Sequence, residues 1–166
     1  MTTAQSRTPA DVARAAFDAV AKRDADAVAA LTTETTVDDF VALGEVRGPD
    51  AIRKFFLETF AAFPDFSMTA DRIVADEEAA VVQWHATGTF SGAPFQGIEP
   101  TGKHVELRGV DVMEVADGHV RRNTIYYDGA SFARQIGMLP QQGSGADRAI
   151  MTGFNTVTKL RKQMAR

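Results

Sequence analysis

The sequence is 166 residues long, holds no cysteine, and carries 18 basic against 22 acidic side chains, a net charge of −4. That length suits one ordinary domain with a core of its own. The composition rules out disulfides and thiolate metal sites, and the acidic balance argues against nucleic acid as a partner.

The opening MTTAQSRTPA has no apolar stretch, and no later run is long enough to span a bilayer. The expectation is a cytoplasmic protein without membrane or nucleic-acid partners. Residues 1–8 read as a flexible tail. Thr8 is placed as an N-cap, with Pro9 at the first helical position and Asp11 where a capping box wants an acid. The helix that follows puts Val12, Ala13, Ala16, Phe17 and Val20 on one stripe. Asp24 caps a second, short helix with Val28 and Leu31 inward. Residues 32–36 are β-branched and break that helix; Asp38, Asp39, Phe40 and Val41 form a short extended piece. Gly48-Pro49 opens a third helix whose apolar face carries Ile52, Phe55, Phe56, Phe60 and Phe63, and Pro64 ends it.

From Phe66 the period drops to two. Strands are expected over 66–75, 79–90, 105–115 and 120–127, with Asp117-Gly118 as a hairpin turn. A short helix follows over 131–136. Residues 141–145 are a linker, and a last helix carries Ile150, Phe154, Val157, Leu160 and Met164 on one stripe. From Gln141 onward five basic residues face one acid, so the tail is +4 and the rest of the −4 chain is −8. Helices first and an antiparallel meander second define an α+β domain over 9–139, with helices on one face of a curved sheet, and a linker and C-terminal helix over 140–166.

The third expected strand holds the first candidate for chemistry. Alternation groups Val105, Leu107, Gly109, Asp111 and Met113 on one face and Glu106, Arg108, Val110 and Val112 on the other. Asp111 is the lone carboxylate on the apolar face. Such a group is costly unless paired, hydrogen-bonded or protonated. It reads either as a general base with a raised pKa or as a structural acid bonded to a tyrosine or to backbone amides. Gly109, two residues earlier, leaves room for a ligand to approach the backbone.

Several motifs together resemble the SnoaL-like polyketide cyclase family, within the nuclear transport factor 2-like superfamily. They are Gly88-Thr89, Phe95 with Gly97, the run Pro100-Thr101-Gly102-Lys103, Gly109-Val110-Asp111, Asp117-Gly118, Asp128 and Gln135-Ile136-Gly137. The resemblance implies a conical sheet around a deep pocket, closed by the N-terminal helices, and often a dimer. It implies a pocket aspartate acting as general acid/base on a hydrophobic, carbonyl-containing ring compound, in isomerase- or lyase-type chemistry without metal or cofactor. Asp111 is the position that inherits that role. Phe90 stands where a histidine is expected in relatives, and that departure favours the alternative, a non-catalytic binding or dimerisation module on the same fold.

Within that frame each further residue has two readings. Asp128 is a second pocket acid or the N-cap of the helix after it. Tyr126, which shares strand parity with Val120, is a donor to a developing enolate oxygen or a wall residue. Trp84, Phe90 and Met113 are expected to line the pocket, with Phe17, Phe40, Phe56 and Phe60 closing it. His85 falls on the opposite face, His104 in a loop and His119 in a turn; the three share no metal-ligand spacing. Asp38-Asp39 reads as a solvated pair near the pocket mouth. The mixed row Glu106, Arg108, Val110, Val112 is too apolar for a wholly solvated face and predicts a homodimer. The basic terminal helix is expected against its own acidic body or a dimer mate rather than against an anionic membrane.

Overall fold

A computed structural model describes residues 7–165. Helix α1 (Pro9–Ala21) starts at a complete capping box: Asp11 donates its backbone N–H to Thr8 Oγ1, and Thr8 donates its own N–H to Asp11 Oδ2, each at 3.2 Å. Helix α2 (Ala25–Ala29) is capped by Asp24, which accepts from Ala27 N at 2.9 Å. Between the two helices Arg23 takes a positive φ of 58°. Its guanidinium donates to the carbonyls of Phe60, at 2.7 Å, and Pro64, tying this corner to the end of α3 (Gly48–Ala62).

The remaining elements are strands β1 (Thr32–Phe40), β2 (Gly44–Arg47), β3 (Ser67–Ala75), β4 (Ala79–Thr89), β5 (His104–Ala116) and β6 (His119–Tyr127), then α4 (Gly129–Gln135) and α5 (Gly145–Met164). The strands form one curved, unclosed sheet in the order β2-β1-β6-β5-β4-β3. The architecture is α+β, and the expected meander β3-β4-β5-β6 is antiparallel throughout. Residues 32–40 depart from the sequence reading. They are not a helix break followed by a short piece but a nine-residue strand running parallel to β6. Its threonines are good strand formers; their polarity hid the strand, because 33–35 are exposed and only 36–38 and Phe40 are buried.

Two bulges decide which side chains face inward. Glu114 pairs with Arg122 but Val115 with Val120, so Arg121 is an extra residue in β6. Ala70 pairs with Trp84 but Arg72 with Gln83, so Asp71 is extra in β3. Each extra residue inverts the alternation beyond it. The concave face of the sheet, through Val82, Trp84 and Met113, shares one apolar cluster with Val12 and Phe17 of α1 and Phe55 of α3. A second cluster joins Val20, Val28, Ile52 and Phe60, and a third joins Phe63, Phe90, Phe95 and Ile136. Helix α5 is capped by Ser144 and has no buried residue; Ile150, Phe154, Val157 and Leu160 are all exposed.

Candidate active site

Between the concave face and the helices lies a partly open cavity of about 160 Å³. Its wall is mainly apolar; strands β1, β6, β5 and β4 place Asp38, Asn123, Asp111 and Trp84 side by side on it, and Thr32, Thr59, Thr87 and Tyr127 add hydroxyl groups elsewhere. Trp84 donates its indole N–H to Asp111 Oδ1 at 2.7 Å, and Asn123 donates its amide to Asp111 Oδ2 at 2.8 Å. Each carboxylate oxygen thus holds one donor. Burial pushes the Asp111 carboxyl up to about 6, and the bonds from Asn123 and Trp84 pull against that rise.

Asp38 is 6% exposed and lines the same cavity. The expected solvated pair is therefore divided. Asp39 points to the convex face and pairs with Arg122, while Asp38 points inward. Burial, and then the charge of Asp111, push the Asp38 carboxyl up to about 7. Alternation along a strand does this: neighbours in sequence take opposite faces.

The candidates from sequence are distributed as follows. Asp111, Phe17, Phe40, Phe56, Trp84 and Met113 border the cavity. Phe60 and Phe90 do not. Phe60 belongs to the cluster between α2 and α3, and Phe90 stacks on Phe63 with ring centroids 5.1 Å apart. Phe90 lies one residue past β4, where the strand's alternation no longer governs it, and belongs to the third apolar cluster. Tyr126 is half-exposed on the convex face, and the tyrosine that borders the cavity is Tyr127. The bulge at Arg121 is the cause, since parity counted from Val120 is inverted beyond it. Asp128 is the N-cap of α4, accepting from Ser131 N at 2.9 Å, and does not reach the cavity.

Gly109 also has a different task from the one expected. A β-carbon there would lie 2.2 Å from the Trp84 ring and 2.6 Å from the carbonyl oxygen of Tyr126. The glycine admits the indole, not a ligand, and so lets Trp84 reach Asp111. Asn123, Tyr127, Thr32, Thr59 and Thr87 border the cavity without having been singled out in the sequence, and Asp38, read there as half of a solvated pair, borders it too. The signal for Asp38 was its separation from Phe40 by two, which puts both on one face of a strand.

No lysine, arginine or histidine borders the cavity among the described residues. His85 meets the bulged Asp71 at 2.7 Å on the outside, His104 and His119 are exposed, and no cluster of three metal-ligating side chains occurs among the described residues. Among the described residues no helix is long and apolar enough to cross a membrane.

The architecture is thus a curved, unclosed sheet wrapped on helices, with a buried acid facing the cavity between them. The family model for SnoaL-like polyketide cyclases matches residues 10–136, and the chain belongs to that family. No curated protein matches it in sequence. Among solved structures it is similar to a protein of Jannaschia sp. CCS1 provisionally called a SnoaL-like polyketide cyclase. That pair has a TM-score of 0.70 and 23% identity, over 82% of this chain and 99% of the other. It is similar also to a SnoaL-like polyketide cyclase of Agrobacterium tumefaciens str. C58, with a TM-score of 0.63 and 19% identity over 79% and 99%. A third is a protein of ketosteroid isomerase-like fold from Catenulispora acidiphila DSM 44928, solved with trimethylamine, with a TM-score of 0.66 and 17% identity over 83% and 99%. At such identities the likeness concerns the fold: α+β, of the nuclear transport factor 2 and ketosteroid isomerase type.

Proposed function

We propose that the cavity is an active site in which Asp111 is the general base on a hydrophobic ring compound bearing a carbonyl group. The observation that carries this reading is the carboxylate held by Trp84 and Asn123 at the apolar cavity. Two donors keep it ionised near neutral pH, while burial leaves it basic enough to accept a proton. Each Asp111 oxygen has a lone pair beyond the one already engaged, so either can take the proton.

The chemistry is enolisation. The bond from the substrate's α-carbon to hydrogen breaks, the proton goes to Asp111, and the electron pair moves through a new carbon–carbon double bond onto the carbonyl oxygen. Tyr127 borders the cavity, and burial pushes its phenol up to about 12, so it stays protonated and able to donate. The enolate carbon then attacks an internal carbonyl carbon, whose π pair moves to its oxygen and takes the proton from Asp111, closing a ring, or the enolate takes that proton back on carbon at a new position. An apolar cavity of ~150 Å³ holds a single aromatic ring, so the volume of this one favours a mono- or bicyclic substrate over a larger polycycle.

The test is Asp111→Asn on a panel of mono- and bicyclic ketones and esters. The variant keeps the shape of the side chain and removes the proton acceptor, so turnover falls about 10²–10⁴-fold. Ligand binding, read by the fluorescence of Trp84, the only tryptophan, changes little. Undiminished turnover removes Asp111 as the base. Ligand binding by the wild type with no turnover on any panel member turns the reading to a binding module.

A further inference from the structure

A base at Asp111 leaves a second buried carboxyl in the same cavity without a task. Asp38 on β1 and Asp111 on β5 flank β6, and the residue between them is Asn123, whose Cα partner on β1 is Asp38. Asn123 gives its amide hydrogen to Asp111, yet its Oδ1 is buried and accepts no hydrogen bond. A buried acceptor left unmet is costly, and among neighbouring carboxyl groups only a protonated one can donate.

The titratable groups bordering the cavity are Asp38, Asp111 and Tyr127. On β6 the cation Arg122 faces outward, engaged by Asp39 and Glu45. Two acids thus share a cavity without a cation, a setting in which one of them keeps its proton. Their surroundings differ. Asp111 receives two donors, which favour its ionised form; among the described residues nothing donates to Asp38.

We propose that Asp38 is a second catalytic residue of this cavity: a neutral carboxylic acid that donates to the carbonyl oxygen of an uncharged substrate while Asp111 takes the proton from the adjacent carbon. The proposal rests on the Asp111 reading and adds the substrate's charge class. As the carbon–hydrogen bond breaks and electrons reach the carbonyl oxygen, that oxygen accepts the Asp38 hydrogen bond, or the proton itself. Proton return from Asp111 to carbon and from the enol oxygen to Asp38 restores both groups. An anionic substrate would meet the Asp111 carboxylate with nothing to offset it. Burial and the Asp111 charge raise the Asp38 carboxyl with nothing pulling it back, whereas the bonds from Asn123 and Trp84 oppose the rise at Asp111.

The experiment compares wild type, Asp38→Ala, Asp38→Asn, Asp111→Asn and Tyr127→Phe. Carboxyl carbon resonances are followed against pH, and 2-naphthol, whose hydroxyl oxygen mimics that of an enol, is titrated by calorimetry. Asp38 titrates near pH 7 in the wild type and lower in Asp111→Asn, where the neighbouring charge is gone. Asp38→Ala weakens 2-naphthol about tenfold or more at pH 6, and turnover falls about 10²–10³-fold, the cost of one donor to a developing oxyanion. Wild-type affinity declines as pH passes 7; Asp38→Asn, whose amide donates at any pH, shows no such decline. The inference is overturned by an Asp38 midpoint below 5, by unchanged affinity in Asp38→Ala, by loss of affinity only in Tyr127→Phe, or by no binding to the wild type. Loss of turnover in Asp38→Ala with full turnover in Asp111→Asn removes the base and leaves the acid; the reverse pattern removes the acid alone.

Discussion

Asp38 and Asp39 are adjacent in sequence and lie on opposite faces of one sheet. On the convex face acids come with cations: Asp39 with Arg122, Glu45 with Arg47 and Arg122, Glu114 with Arg121. On the concave face Asp38 and Asp111 have no cation, and burial raises both. The outer pairs sit in water, where such contacts contribute little stability. The inner pair is held out of water by the packing of α1 and α3 and destabilises the fold at neutral pH. A fold that tolerates such a pair keeps it at a cost, and that sets the cavity apart from the rest of the sheet.

The sharpest way to break the contrast is to disturb the inner row at its mechanical support. Gly109→Ala puts a β-carbon against the Trp84 ring and the Tyr126 carbonyl. A stability loss of about 3 kcal/mol is expected from overpacking of this kind, measured by denaturant unfolding, together with a changed Trp84 emission as the indole leaves Asp111. A variant as stable as the wild type would mean that the ring moves aside freely.

The next effect concerns pH. Both inner carboxyls hold their protons more tightly folded than unfolded, so the folded state binds more protons between about pH 4 and 7, and raising pH through that window lowers stability. Asp38→Asn removes part of this slope. Its Tm is expected to exceed that of the wild type by a few degrees at pH 8, a shift on the order of 1 kcal/mol for a domain of this size, and to match it at pH 4. A wild-type Tm that rises steadily from pH 4 to 8 contradicts the raised values.

On the convex face Asp39→Asn is expected to leave Tm almost unchanged at any pH, because its partner Arg122 retains Glu45. That face bears on association instead. We propose that its row of Val81, Val110, Val112 and Tyr126 packs against a second copy, since Val81 and Tyr126 are exposed apolar surface. Sedimentation gives a dimer for the wild type and a shift toward monomer for Tyr126→Glu; a monomeric wild type at micromolar concentration removes the dimer.

The smallest effect on folding is expected from deleting the chain after Pro140. Helix α5 buries no residue, so Tm stays within about a degree. Its basic, apolar surface beside a body of charge −8 predicts lower solubility or weaker association in the truncated chain. Unfolding on truncation would make the helix part of the core.

Local signals were legible in the sequence because they act over a few residues. The Thr8–Asp11 box, the cap at Asp24, the Asp117-Gly118 turn and the period-two runs that became β3 to β6 all depend on neighbours within a turn or a pleat. Asp111 stood out for the same reason, as one charge in an apolar row. Tertiary pairing decided the rest. Strand β1 exists because β6 offers it an open edge, which no local pattern in 32–40 announces. The extra Arg121 turned Tyr126 outward and Tyr127 inward. Asp38, Asn123, Asp111 and Trp84 are spread over 86 residues of chain and meet because four neighbouring strands present them to the same hollow. Sequence fixes which residues alternate within a strand; register and bulges, set by pairing between strands, fix which of them share a cavity.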